Sequence, residues 1–236
     1  MTNFEPMPSD DTSGAAVSAT GSDALPPLRI HDNIGVCGVR QDTRMLAEIA
    51  AGDVAPGRAL DLGTGTGYIG LYLAQRGWTV DAVDVSPRAV ELAQANAQRN
   101  GLTAAGDPGS IRVFHSNLFD QVEGSYDLIA FNPPMRPDET ELSRIVTSLL
   151  RRHPAISRLL MNLLGERFEQ GRSPFLVQVV DDARRHLRPG GRLVLGISSE
   201  EAHELAALPG LHLVDARPIP GMARQEIAVY LFEDSL

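Results

Sequence analysis

Between Arg58 and Phe232 the apolar positions switch repeatedly between two periods. Ala59-Leu60-Asp61-Leu62 is a short apolar run that ends in glycines, the pattern of a strand buried on both faces. Tyr68 to Gln75 then carries apolar residues at helical spacing, and Gly77 closes that helix. Thr79 to Val85 reads as a second strand. Pro87 opens a helix whose apolar face is Ala89, Val90, Leu92, Ala93 and Ala97, and Asn100-Gly101 stops it. Ile111 to Phe114 and Asp127 to Phe131 are the third and fourth strands. An amphipathic helix over Val177 to Leu187 ends at Pro189-Gly190-Gly191 and leads into a fifth strand, Arg192 to Ile197. A helix over Glu200 to Leu208 follows. Leu211 to Val214 and Glu226 to Phe232 are two last strands with no helix between them. Strands alternating with helices predict an α/β fold: a doubly wound, seven-stranded, largely parallel sheet whose last strand runs antiparallel.

Two stretches break this rhythm. From Pro134 to Ser173 about forty residues stand where a handful would connect strand to helix. Leu142, Ile145, Val146, Leu149 and Leu150, then Ile156, Leu159, Leu160, Leu163 and Leu164, predict two helices inserted after the fourth strand. Residues 135–173 are therefore a helical insert, either decorative or a lid, because open α/β sheets bind ligands beyond the carboxyl ends of their strands. At the other end, residues 1–27 are rich in Ser, Thr, Asp, Gly, Ala and Pro. Such a segment buries too little apolar surface to offset its ordering entropy, which predicts a flexible tail.

Composition narrows the class. The chain has 236 residues and a formal net charge of -9, which argues mildly against a polyanionic partner. One cysteine, Cys37, excludes an internal disulfide framework and fits a reducing, cytoplasmic compartment. No window has the length of apolar residues that a membrane span needs, and the N-terminus lacks the basic start and apolar run of a signal peptide. His115, His153, His186, His203 and His212 are too scattered for a metal site. Arg151-Arg152-His153 reads as a solvated helix face.

Candidate chemistry begins at Asp61-Leu62-Gly63-Thr64-Gly65-Thr66-Gly67, between the first strand and the first helix. Glycines let the backbone turn tightly and meet a ligand with no Cβ in the way, and the helix start behind them offers free N–H groups. Gly65, Gly67 and Gly70 also satisfy the G-x-G-x-x-G dinucleotide fingerprint. Asp84, at the end of the second strand, stands where an acid binds ribose hydroxyls. Together they indicate an adenosine-type cofactor, either a nicotinamide dinucleotide or S-adenosylmethionine.

Asn132-Pro133-Pro134-Met135 follows the fourth strand. Two prolines terminate a central strand, since neither has the N–H that the ladder needs. They also suit a reaction. The Asn132 side-chain oxygen and the Pro133 carbonyl can each accept one N–H of a planar amide, amidine or amino group. That contact orients its nitrogen and favours the positive charge which grows there as a bond forms.

With the glycine loop, Asp84 and Asn132-Pro133-Pro134 in this order, the chain resembles class I S-adenosylmethionine-dependent methyltransferases of the N-P-P-[YFW] type. Val39-Arg40-Gln41-Asp42-Thr43-Arg44 is similar to the P-R-x-D-T-E segment of release-factor glutamine methyltransferases. The motifs cover about Val36 to Pro134, with a weaker match through Leu187-Arg188-Pro189-Gly190-Gly191. This chain departs from the pattern at Val39, Arg44, Asn117 (an acid in the family) and Met135 (an aromatic), and the family's helical N-terminal domain is expected to be missing. The resemblance implies a Rossmann-like methyltransferase domain over residues 28–236 with S-adenosylmethionine as cofactor. Asp61, Gly63, Thr64 and Gly65 would bind the cofactor, the last three against its methionine part. Asp84 would hold the ribose, Asn117 and Leu118 would lie by the adenine, and Val85 and Asn132 are further cofactor-binding positions. Arg40 and Thr43 would stand near the methionine end or the substrate, while Asn132 and Pro133 orient the acceptor nitrogen.

The expected reaction is direct in-line transfer, without metal or covalent intermediate, to an amide, guanidine or amine nitrogen of a small molecule or peptide. A nucleic-acid base or a protein glutamine is the alternative acceptor. A nicotinamide oxidoreductase, or a binding module that kept the fold, leaves Asn132-Pro133-Pro134 without a role.

Overall fold

The structure, a computed structural model, describes residues 25–32, 36, 38–52, 54–103, 106–133 and 172–232. The insert over 135–173 and the tail over 1–27 therefore lie almost wholly outside the described residues, as do Cys37 and Met135. Among the described residues twelve elements follow in chain order: α1 Gln41–Ala51, β1 Arg58–Leu62, α2 Tyr68–Ala74, β2 Thr79–Asp84, α3 Pro87–Asn100, β3 Ser110–His115, β4 Tyr126–Phe131, α4 Arg172–His186, β5 Leu187–Ser198, α5 Ser199–Ala206, β6 Leu211–Pro218 and β7 Gln225–Phe232.

The seven strands form one sheet in the order β3-β2-β1-β4-β5-β7-β6. β1 to β5 are parallel, and β7 alone runs against its neighbours, inserted between β5 and β6. The expected architecture is thus present, and strand order reverses between β1 and β4. Successive side chains on a strand point to opposite faces. On one face Ala59, Val80, Ala82, Leu128, Ala130 and Val194 pack with α1, α2 and α3. On the other, Leu60, Leu62, Ile129, Phe131, Leu193 and Leu195 pack with α4 and α5.

Two elements differ from the pattern read along the chain. α1 was not expected; its apolar side consists of Leu46, Ala47, Ala50 and Ala51, all buried. β5 begins at Leu187 instead of Arg192, because Leu187 pairs with Tyr126 and pairing resumes only at Arg192 with Leu128. Arg188-Pro189-Gly190-Gly191 is looped out between them, with Gly190 at φ 72°. A bulge tolerates a proline without N–H and a left-handed glycine where a regular ladder would not.

The connection from β3 to β4 is short and contains no helix. The sheet face beneath it carries a polar knot instead. The buried Asp81 accepts from Arg58 (2.9 Å), Arg112 (2.8 Å) and the Tyr126 hydroxyl (2.8 Å). Burial pushes this carboxyl upward, but hydrogen bonds from Arg112 and Tyr126 and the two arginine charges outweigh that and hold it below the usual range.

Candidate active site

Strand register builds the site. Leu62 pairs with Val83 on one side and with Phe131 on the other, and Phe131 pairs with Leu195. One residue further along, Asp84, Gly63, Asn132 and Gly196 form a row at the carboxyl edge of the sheet. Asp84 pairs with His115, so Ser116 and Asn117 extend the row beyond β3. At about 4.8 Å per strand, the span from Asn117 to Asn132 is roughly 14 Å. Residues distant in sequence thus meet at the strand-order reversal, where open α/β sheets bind ligands.

The glycine loop is held from below. Asp61 is fully buried, and its Oδ2 accepts from the Thr64 hydroxyl (2.6 Å) and the Gly70 N–H (2.9 Å). Thr64 N–H donates to the Val83 carbonyl, and Gly65 N–H to Asp84 Oδ2 (2.9 Å). Gly63 and Gly65 sit at φ 66° and 55°, a region other residues avoid. A Cβ on Gly63 would meet the Phe131 ring at 3.2 Å, so this glycine lets the loop and the β4 end approach. Gly70 packs closer still, with Ile111 at 2.7 Å from where its Cβ would be. It therefore serves helix–sheet contact, whereas a Cβ on Gly65 would meet Val36 at 3.8 Å, an ordinary contact distance.

Desolvation raises the Asp61 carboxyl to about 7, against the hydrogen bonds from Thr64 and Gly70 that oppose it. Its Oδ1 is buried without a hydrogen-bond partner among the described residues. Half-buried Asp84 receives Gly65 N–H on one oxygen and Ser86 N–H (2.8 Å) on the other. Each oxygen keeps a second lone pair for a hydroxyl donor. Val85 follows, with its carbonyl 3.1 Å from His115 Nε2.

Past β3, Ser116 fixes a tight turn: its hydroxyl donates to the Leu118 carbonyl and accepts the Gln121 N–H. Leu118 is held at φ 51°. Asn117 donates through Nδ2 to Asp120 Oδ2 (3.1 Å), which leaves its side-chain oxygen to accept. An asparagine so turned offers an amino group the same acceptor that the family's acid would.

At the other end of the row stand Asn132 and buried Pro133. Asn132 Nδ2 donates to Asp42 Oδ2 (3.2 Å) and Thr43 Oγ1 (3.4 Å), both in the first turn of α1. Its Oδ1 is buried and has no hydrogen-bond partner among the described residues. That oxygen lies over Gly196 of β5, so closely that a Cβ there would collide with it. Arg40 is exposed; its Nε stands 3.7 Å from Asp42 Oδ1 rather than in the row. Gly196 is a residue that the sequence did not single out, and Asp42 was quoted only as the acid of the upstream motif, with no role assigned to it. Their signals were an acid opening an amphipathic stretch, and a lone glycine inside the apolar run of β5.

S-adenosylmethionine fits what is present. Acidic groups at Asp61 and Asp84 suit a cationic molecule carrying a ribose diol, Gly63 to Gly65 leave room for it, and Asn117 offers an acceptor for an amino edge. A family profile described as the methyltransferase small domain matches residues 36–159. A release factor glutamine methyltransferase of Gloeobacter violaceus is 30% identical over 190 residues, 77% of this chain and 60% of that relative. A ribosomal RNA small subunit methyltransferase C of Chromohalobacter salexigens is 36% identical over 134 residues, 54% of this chain and 38% of that relative. The chain spans 60% or less of the length of these curated relatives. In fold it is similar to a ribosomal protein L11 methylase of Lactobacillus delbrueckii subsp. bulgaricus, with TM-score 0.59 and 18% identity over 87% of this chain and 84% of that one. The nicotinamide alternative falls away, and the cofactor is S-adenosylmethionine. The chain belongs to the methyltransferase small domain family, a class I, Rossmann-like group of S-adenosylmethionine-dependent methyltransferases.

Proposed function

We propose that this chain methylates a planar carboxamide-type nitrogen on a peptide or protein, with a glutamine side chain as the preferred acceptor. The observation that carries this reading is Asn132. Its NH2 end is engaged by α1, and its oxygen is buried and short of a donor. An N–H of the acceptor supplies that donor, and holding it points the nitrogen lone pair along the row toward the cofactor end. S-adenosylmethionine supplies an electrophilic methyl group on sulfur. The acceptor nitrogen forms the new N–C bond as the S–C bond breaks, S-adenosylhomocysteine leaves, and the displaced N–H proton passes to water. Asn132 contributes orientation and a negative dipole against the charge developing on nitrogen. Asp61 and Asp84 hold the glycine loop and the ribose in place for the transfer.

The expectation of a small-molecule acceptor shifts here. The curated relatives act, by name, on release factor and on ribosomal RNA, both macromolecules. Ribosomal RNA is the second reading, since an exocyclic base amine presents the same planar NH2 and the Chromohalobacter relative is 36% identical over 134 residues. Net charge does not exclude it, because a sum over the whole chain says little about one face. The test is transfer of labelled methyl from S-adenosylmethionine to a bacterial release factor and, in parallel, to small-subunit ribosomal RNA. Label on protein, with one added methylene on a glutamine by mass spectrometry, is the expected result. Label in RNA alone, or in neither, overturns the reading.

A further inference from the structure

We propose that Asp42 is a positioning residue: it commits the amide of Asn132 to one of its two orientations, so that oxygen is the end left for the acceptor nitrogen. The inference rests on the reading of Asn132 given above. A carboxamide can be turned over at almost no steric cost, exchanging its acceptor oxygen for its NH2 donor. Turned over, Asn132 would present N–H to an N–H acceptor group, and the two would repel. Something must hold the flip.

Among the described residues, two groups touch the NH2 end. The Thr43 hydroxyl at 3.4 Å can donate or accept, so it discriminates little. The carboxylate of Asp42 accepts, and it stands 3.2 Å from Nδ2. Asp42 is 5% exposed, where a misplaced carbonyl facing a carboxylate would have little water to screen it. The exposed guanidinium of Arg40, 3.7 Å from the other Asp42 oxygen, provides a counter-charge from outside. The opposite side of the amide is shaped to the same end. Gly196 has no Cβ where Asn132 Oδ1 lies, and that oxygen has no donor among the described residues. Buried polar atoms are almost always paired, so an acceptor kept open beside a committed donor marks a place prepared for an incoming N–H.

The test compares Asp42→Asn, Asp42→Glu and Asn132→Ala, using S-adenosylhomocysteine as binding probe and release factor as methyl acceptor. Asp42→Asn is nearly isosteric but can donate as well as accept, so both orientations of Asn132 become populated. Turnover should fall by about 10²-fold, while the Kd for S-adenosylhomocysteine stays within about threefold, a change near RT. Asp42→Glu keeps an acceptor-only partner and should recover part of the loss. In protein labelled with 15N-asparagine, the Asn132 side-chain signal is assigned by its disappearance in Asn132→Ala. It should move or double in Asp42→Asn and persist in Asp42→Glu. Wild-type turnover with an unmoved amide signal in Asp42→Asn overturns the proposal. If Asn132→Ala itself retains turnover, the fault lies in the reading of Asn132. If Asn132→Ala is inactive and Asp42→Asn is not, the fault lies with Asp42 alone. Should Asp42→Asn fail to bind S-adenosylhomocysteine, the amide signal in Asp42→Glu decides: its persistence supports the proposal and its loss refutes it.

Discussion

The two ends of the site row are finished to different degrees. At the cofactor end most polar groups are already paired within the chain, with Asp61 Oδ1 the exception among the described residues. Asp84 holds two backbone N–H groups, Thr64 and Gly70 share Asp61 Oδ2, and Ser116 closes the turn around Asn117 and Leu118. At the acceptor end, Asn132 Oδ1 and Asp42 Oδ1 are both buried and without a hydrogen-bond partner among the described residues. A cradle whose groups are mostly paired in advance suits a ligand that is the same in every turnover. An open acceptor suits a group whose arrival should complete the site, because hydrogen bonds made only then go into orienting the reacting atoms.

If this division holds, variants at the two ends fail in different ways. The largest effect is expected from Asn132→Ala, with turnover lowered about 10³-fold. The Kd for S-adenosylhomocysteine, by calorimetry, should be nearly unchanged. Loss of cofactor affinity instead would erase the division. Asp84→Ala should do the reverse. It removes an acceptor for the ribose and the anchor of Gly65, so affinity should drop about 10²-fold, with turnover at saturating cofactor much less affected. Gly196→Ala probes the back of the acceptor end. Its methyl would displace Asn132 Oδ1, lowering turnover roughly tenfold and leaving the calorimetric affinity unmoved.

The smallest effect concerns Asp61 and pH. Its carboxyl is raised by burial to about 7, so between its unfolded value of 3.8 and 7 the folded chain binds more protons than the unfolded one. The stability contribution of this residue is therefore largest in acid, declines as pH rises through that window, and is flat above it. Because other carboxylates such as Asp81 act oppositely, the comparison must be a difference. Measured against Asp61→Asn, wild-type stability should lose ground from pH 5 to pH 8 in thermal melts without ligand. A cationic ligand that favours the ionised form should shrink the loss. A pH-independent difference would show that Asp61 stays charged and that its open oxygen is satisfied.

Legibility followed the length scale of each feature. The alternation of short apolar runs and amphipathic stretches determined seven strands, their largely parallel pairing and the antiparallel end, because period and burial are local properties of the chain. The glycine loop, Asp84 and Asn132 were equally visible, since each lies at or just past the end of a strand, where a parallel sheet presents its functional edge. Arg40, which a motif match set near the methionine end or the substrate, stands 3.7 Å from Asp42, the partner of Asn132. What the tertiary structure alone decided is which groups face one another. Asp42 and Asn132 are ninety residues apart, and Gly196 is further still. Only strand register and the docking of α1 on β4 and β5 bring them into contact. The orientation of a single amide, on which the proposed chemistry turns, depends on a hydrogen bond that no local pattern encodes.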